Sequence, residues 1–306
     1  MKHYYPSYYE EFHCIAAACP DSCCQGWDVV IDSETEAYYS TVKGALGEKL
    51  REALYIDADG DRVFRLAAQK KCPFWRDDKL CELYRSLGEE HLCATCAQFP
   101  RIRMEYTDFT EHTLALACPE AARLILSADS DAYRTFDLTE AAGCEAYSKG
   151  LMRFLLQTRQ EAARILTQDK PLFGRLNELL TYAMQAQIAL TGAYAAQEVD
   201  PAALFGTLEY IDEQNRQRFI RAAKPVPDVV RHEKELTNLA LYWLYRYCLS
   251  AVDTLDLLSP IRFLILSLGV VAHLPADSDI IPAAQLYSKE IEQSYENMEQ
   301  FLVVSG

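Results

Sequence analysis

Cys19-Pro20-Asp21-Ser22-Cys23-Cys24, followed by Cys72-Pro73-Phe74, Cys81, Cys93-Ala94-Thr95-Cys96 and Cys118-Pro119-Glu120, is the pattern that decides how the first part of this chain must fold. Nine of the eleven cysteines fall within the first 118 residues, and eight of them sit in these turn-like contexts. A packed core gains little from a cysteine over an alanine or valine. Thiols at this density are therefore either oxidised in pairs or deprotonated by a soft metal.

The compartment decides between the two. Met1-Lys2-His3-Tyr4-Tyr5-Pro6 carries no apolar core of a secretory signal. The longest apolar stretch, Ile261 to Leu274, is interrupted by Arg262 and is too short to span a bilayer, so it reads as a buried helix. A chain of 306 residues does not need the disulfide staples of a small secreted domain, and an odd number of cysteines leaves at least one outside any pairing scheme. The expectation is a cytoplasmic protein whose reduced thiols bind metal, with no membrane partner.

Net charge is -15. Residues 1–144 carry 25 acidic against 15 basic side chains, and residues 145–306 carry 20 against 15, so the surplus sits with the cysteines. Such a surface repels nucleic acid and anionic lipid and attracts a partner that bears lysines. Acidity of this degree also serves solubility alone.

Composition divides the chain into residues 1–143 and 144–306, and the fold class expected is α+β, predominantly α. Before the division the elements are short. Asp28–Asp32, Val63–Ala67, Ile102–Tyr106 and His112–Ala117 read as strands, and Ser33 with Glu36 makes a capping box for a helix running to about Leu54. Pro119 opens a helix through Leu126. After the division, Tyr147–Leu166, Leu172–Leu190, Pro201–Ile220, His232–Ser250, Pro260–Leu274 and Ala283–Leu302 show apolar residues at three- and four-residue spacing. That reads as a helical domain packed on a cysteine-rich metal-binding module.

The candidate metal ligands are Cys19, Cys23, Cys24, Cys72, Cys81, Cys93, Cys96 and Cys118. Only Cys93-x2-Cys96 has the form of a zinc knuckle; Cys19-x3-Cys23-Cys24 is a less usual one and Cys72-x8-Cys81 a wide pair. One zinc ion takes four ligands and a [4Fe-4S] cluster takes four or three, so eight thiols exceed one centre. Successive side chains diverge, which makes one of Cys23 and Cys24 a spectator. Cys118, directly before a helix, gains from the helix dipole as a thiolate. Cys14, Cys144 and Cys248 lack partner spacing and read as inert buried thiols, and the six histidines show no metal pattern.

Taken in order, Ala18-Cys-Pro-Asp-Ser-Cys-Cys-Gln-Gly-Trp27, Cys72-Pro-Phe-Trp75, Leu80-Cys81, Leu87-Gly-Glu-Glu90, Cys93-x2-Cys96, Phe99-Pro-Arg101 and Cys118-Pro-Glu-Ala-Ala-Arg123 resemble the flagellin lysine-N-methylase family. They also share elements with a wider group of zinc- or iron-chelating domains. The matching motifs cover about residues 14–123. The resemblance implies a cytoplasmic enzyme that uses S-adenosylmethionine to methylate lysine ε-amino groups of flagellin and carries an iron–sulfur cluster.

The residues themselves mark neither a catalytic group nor a cofactor pocket. The radical-type Cys-x3-Cys-x2-Cys motif is absent, because Gly26 stands where its third cysteine would be, and no Gly-x-Gly-x-x-Gly follows a strand. Trp27, Arg101, Glu120 and Arg123 lie beside ligand cysteines, where they either tune the site or pack. Tyr4, Tyr5, Tyr8 and Tyr9 form either a sandwich for a methylated amine or an N-terminal packing strip. Two functions follow: the S-adenosylmethionine-dependent lysine methyltransferase, and a non-enzymatic zinc- or iron-chelating or redox-sensing protein.

Overall fold

A computed structural model describes residues 2–129, 132–133, 143–194, 199–274 and 279–303. Most of these residues are helical, with short strands, in keeping with a predominantly α member of the α+β class. The chain forms two compact units, His13–Ile102 on the one hand and Met1–Phe12 with Arg103–Gly306 on the other. The division expected from composition, 1–143 against 144–306, falls beside residues 134–142, which lie outside the described residues. By packing, the segment from Arg103 goes with the helices, and the first twelve residues join it.

The reason is a strand. Lys2–Tyr4 pairs in parallel with Phe109–Leu114, with His3 opposite Thr110, and Arg101–Glu105 lies on the other side of Phe109–Leu114. Parallel neighbours need a long crossover, and here the whole 13–102 unit is inserted between them. As the central strand, Phe109–Leu114 is buried on both faces. Its Glu111 is 1% and Arg159 2% exposed, and the two form a bidentate pair, with Arg159 Nη1 donating to Glu111 Oε2 at 2.7 Å. The guanidinium also lies 4.6 Å from the Tyr245 ring. A buried ion pair persists only when both partners are hydrogen-bonded, and this one is.

Around the strand stand helices whose apolar spacing was legible. Lys149–Leu166 is capped by Ser148 and buries Met152, Leu155, Leu156 and Ile165; Leu172–Thr191 ends at Gly192 in the left-handed region. Pro119–Ser127, Glu233–Tyr247 and Leu258–His273 pack against one another or against their neighbours. At Gly269 a Cβ would stand 2.1 Å from the Lys224 carbonyl oxygen, so only glycine allows that approach. Two expected helices are broken. Pro201–Ile220 is Pro201–Thr207 and Glu213–Ala222, because Asp212 caps a fresh start through Gln214 N. Ala283–Leu302 becomes Ile281–Tyr287, a π-turn at Ser288–Glu292 and Tyr295–Val303.

The 13–102 unit is built from short pieces. Ser33–Thr41 is followed by Gly44–Ala53 after a break at Val42, so the single helix to Leu54 is corrected to two. Its cap is Asp32, which accepts from Thr35 N, in place of the expected Ser33–Glu36 box. Leu54–Ile56 and Arg62–Phe64 make an antiparallel hairpin. The expected strand at 28–32 is reduced to backbone bonds, Ile31 N to Arg62 O at 2.7 Å and Phe64 N to Val29 O at 3.3 Å. Its core is a cluster of ten residues, of which two are Cys72 and Cys93.

Candidate metal centre

Three hydrogen-bonded devices join the segments that carry the thiols of the 13–102 unit. Cys72 N donates to Cys24 O at 2.8 Å, which joins the Cys19–Cys24 loop to the Cys72 turn. Gly26, at φ +114 where a side chain would be strained, donates from its N–H to Lys70 O and extends that join. The wide Cys72-x8-Cys81 pair is closed by Trp75 N to Cys72 O at 3.1 Å and by a bridge between Trp75 and Cys81. The third device is Asp32. Its Oδ1 accepts from Thr35 N at 2.9 Å and its Oδ2 from Ala94 N at 2.8 Å, so one carboxylate caps Ser33–Thr41 and also the helix Ala94–Gln98 that begins after Cys93. Thr95 Oγ1 adds a bond to Val30 O at 2.8 Å.

Cys93 is buried and Cys96 exposed. Interaction between the two side chains lowers the pKa of Cys93 and raises that of Cys96. Burial, with smaller contributions from Cys81, Cys93 and Cys23, pushes Cys72 up to about 11. Cys81 is raised by burial and by Cys23 and Cys93; Cys96 also feels Cys24 and Cys72. As thiolates, Cys23, Cys24, Cys72, Cys81, Cys93 and Cys96 would repel one another, and a cation would relieve that repulsion. Cys19 joins it through Cys23, and its own pKa is raised by burial. Among the described residues no three His, Cys, Asp or Glu side chains are gathered at metal-binding distance. Thiols are the soft donors that a thiophilic metal or cluster takes, and of this set Cys72 and Cys93 are buried, Cys24 and Cys81 half-buried, and Cys23 and Cys96 exposed.

Cys118 belongs to the other unit, where it is the N-cap residue of Pro119–Ser127 and partly buried against the helical core. Of the three thiols expected to be inert and buried, Cys248 is buried, whereas Cys14 and Cys144 are exposed. Cys14 adjoins Cys19. Trp27 packs 5.7 Å from Phe99, and Arg101 opens its strand on the surface. Glu120 and Arg123 pair with each other one helical turn apart, at 2.6 and 2.9 Å. The tyrosine strip closes on a histidine: Tyr5 stacks on His112 at 4.3 Å, Tyr9 meets it edge-on at 5.8 Å, and His3 Nδ1 is 3.0 Å from His112 Nε2. His91 stacks on Tyr38 at 3.9 Å.

Sequence reasoning passed over Asp32 and Tyr39. Asp32-x-x-Thr35 is a readable cap, but its second contact lies 62 residues away and leaves no local trace.

The chain is 32% identical to flagellar biosynthetic protein FliU of Salmonella muenchen over 132 residues, which are 42% of this chain and 78% of that protein. It is 31% identical over the same length to the lysine-N-methylases of Salmonella typhimurium and Salmonella choleraesuis, and there the match spans 33% of the relative. The chain therefore covers about a third of the length of those methylases. No family model matches it and no solved structure does. Among the described residues no helix is long and apolar enough to cross a membrane.

Proposed function

Because this chain belongs to the family of flagellar biosynthetic protein FliU and the Salmonella lysine-N-methylases, we propose that it is a protein lysine N-methyltransferase, drawing its methyl group from S-adenosylmethionine and acting on flagellin. The kinship carries the reading, and the density of cysteines between Cys19 and Cys96 supports the metal half of it. An iron–sulfur cluster, of the [4Fe-4S] type or with zinc as the alternative, would be held by four of Cys23, Cys24, Cys72, Cys81, Cys93 and Cys96, with Cys19 at the rim. When bound, such a group supplies an electrophilic or redox-active iron and fixes the loops that carry its ligands.

Methyl transfer itself is an in-line displacement in which a neutral amine attacks an electrophilic methyl group. Lysine has a pKa near ~10.4, so the protein must desolvate the ammonium or accept its proton. The net charge of -15 favours approach of a lysine-bearing partner and disfavours nucleic acid.

The test incubates the anaerobically purified chain with flagellin and S-adenosylmethionine carrying a labelled methyl group. Labelled methyl-lysine on flagellin, together with iron and acid-labile sulfide in the protein and loss of all three in Cys93→Ser, is the expected result. Zinc without sulfide, no cofactor binding and no transfer would replace the methylase with a chelating or redox-sensing protein.

A further inference from the structure

We infer that Arg246 and Glu292, held about the ring of Tyr247, form a site for an α-amino-acid head group, the guanidinium taking its carboxylate and the acid its ammonium. Under the methyltransferase reading, on which the choice of ligand rests, that head group is the methionyl end of S-adenosylmethionine. A free amino acid offers the same chemistry.

The groups stand on two facing turns of the helical unit. Trp243 and Tyr247 are one turn apart at the end of Glu233–Tyr247, and Ser288 and Glu292 are one turn apart on the π-turn Ser288–Glu292. The Trp243 ring lies 5.4 Å from that of Tyr287, and Tyr247 Oη donates to Glu292 Oε1 at 2.7 Å, so the two turns are pinned at both ends. Phe263 meets Tyr247 edge-on at 5.2 Å and fixes its ring. A π-turn carries one residue more than an α-helical turn and is frequent at functional sites. Here it sends Glu290 to the backbone of Ile211 and Glu292 to Tyr247.

What these turns leave open points to a ligand. Glu292 Oε2, Ser288 Oγ and Trp243 Nε1 are buried without a hydrogen-bond partner, although a native core pairs nearly all such atoms. The guanidinium carbon of Arg246 lies 5.3 Å from the centre of the Tyr247 ring, yet among the described residues that guanidinium closes neither an ion pair nor a hydrogen bond. Glu111 and Arg159 pair directly in the same unit; this acid and this base do not. Trp243 and Ser288 are each 1% exposed, whereas Arg246, Tyr247 and Glu292 are half-buried, so the cluster runs from the core to the surface.

A guanidinium grips a carboxylate through two parallel N–H donors, and a carboxylate grips an ammonium. One α-amino acid carries both on neighbouring atoms and fills the gap between an acid and a base that do not touch. The last torsion of a glutamate side chain is soft, so a small rotation offers Oε2 to the ammonium. Burial raises the Glu292 pKa, and a bound cation would relieve that cost. A simple anion would leave Glu292 unanswered, and a simple amine would be repelled by Arg246. The pair therefore selects a zwitterion.

Calorimetric titration of the anaerobically purified chain tests the site. S-adenosylmethionine and S-adenosylhomocysteine carry the head group on an adenosyl moiety, methylthioadenosine lacks it, and L-methionine is the head group without adenosine. The first two should bind the wild type, and Arg246→Met and Glu292→Gln should each weaken both by about 10- to 100-fold. Methylthioadenosine should bind the wild type and both variants alike. Glu292→Gln keeps an acceptor for Tyr247, so its loss of binding is not a loss of fold. S-adenosylmethionine held equally by the wild type and both variants overturns the site and leaves the methyltransferase reading standing. Methylthioadenosine weakened as much as the rest overturns the head-group role, because the substitutions then act on the fold. L-methionine bound with the same dependence on both variants, with no adenosyl compound bound, keeps the site and overturns the methyltransferase reading. A wild type that binds none of these compounds overturns both.

Discussion

The two units solve the problem of buried polar groups in opposite ways. In the helical unit a buried acid and a buried base meet each other: Glu111 and Arg159, at 1% and 2% exposure, close a bidentate pair against Tyr245. In the 13–102 unit two cysteines stand in a core of ten residues, where they would repel one another as thiolates, and a tyrosine hydroxyl is buried without a partner. The first region closes its buried ion pair within itself, although Trp243 Nε1 and Arg262 Nη1 stay unpaired there. The second carries the thiols that, in the function proposed above, would receive a metal or cluster. Its stability should accordingly belong to its ligand, while that of the helices belongs to packing.

Removing the metal is the severest way to break this contrast. Structural thiolate sites contribute on the order of 10 kcal/mol or more to folding. Chelation, or Cys93→Ser, should therefore abolish amide protection from hydrogen exchange across residues 13–102 and leave Lys149–Leu166 and Glu233–Tyr247 protected. Equal loss in both units would mean that they do not differ in what holds them.

The reverse break is Arg159→Ala. Leaving Glu111 buried and unpaired costs about 3–5 kcal/mol. Denaturant unfolding of the helical unit should record that loss with metal content unchanged. Glu111→Leu combined with Arg159→Met should recover most of it, because the apolar pair no longer carries buried charge. Cys248→Ser, in the same unit, should also leave metal content intact; metal lost there would place a ligand outside the cysteine unit. A gentler probe is Asp32→Ala, which removes two helix caps at about 1 kcal/mol each and should loosen Ala94–Gln98 together with Ser33–Thr41.

How far each region was legible follows from the same difference. Lys149–Leu166 and Leu172–Thr191 were readable to within two residues, since one apolar stripe on one helix is a local pattern. The break at Ser288–Glu292 was not, because Glu290 turns inward to accept from Ile211 N and Asn215 Nδ2, 79 and 75 residues away. In the cysteine unit the Cys93-x2-Cys96 spacing announced itself. That Cys72 sits against Cys24 depends on one backbone bond, and that Asp32 holds Ala94 on another; spacing carries neither. Tyr39 was invisible for a related reason: an apolar face accepts tyrosine for its ring, and only the fold shows where the hydroxyl ends.

Acid sharpens the comparison most finely, because it should move the two units in opposite directions. Glu292 accepts from Tyr247 at 2.7 Å, and its pKa is raised by burial, a shift that Tyr247, Ser288, Arg246 and Trp243 offset only in part. Glu290 is raised by burial as well. A carboxyl whose folded pKa lies above the ordinary 4.5 favours the folded state fully below 4.5 and loses that contribution as pH rises through the folded value. At neutral pH its charge therefore costs stability. Glu292→Gln keeps an acceptor for Tyr247 without the charge, so it should be the more stable chain at pH 7, and its advantage should vanish below pH 4.5. An advantage constant with pH, or a loss at pH 7, would mean that Arg246 compensates the charge more than burial penalises it. The cysteine unit should answer acid with the reverse sign, since protons compete with metal for thiolates. Falling pH would then relieve the buried charges of Glu290 and Glu292 while it empties and loosens residues 13–102, and hydrogen exchange of the wild type and Glu292→Gln across the pH range would resolve the two effects in one experiment.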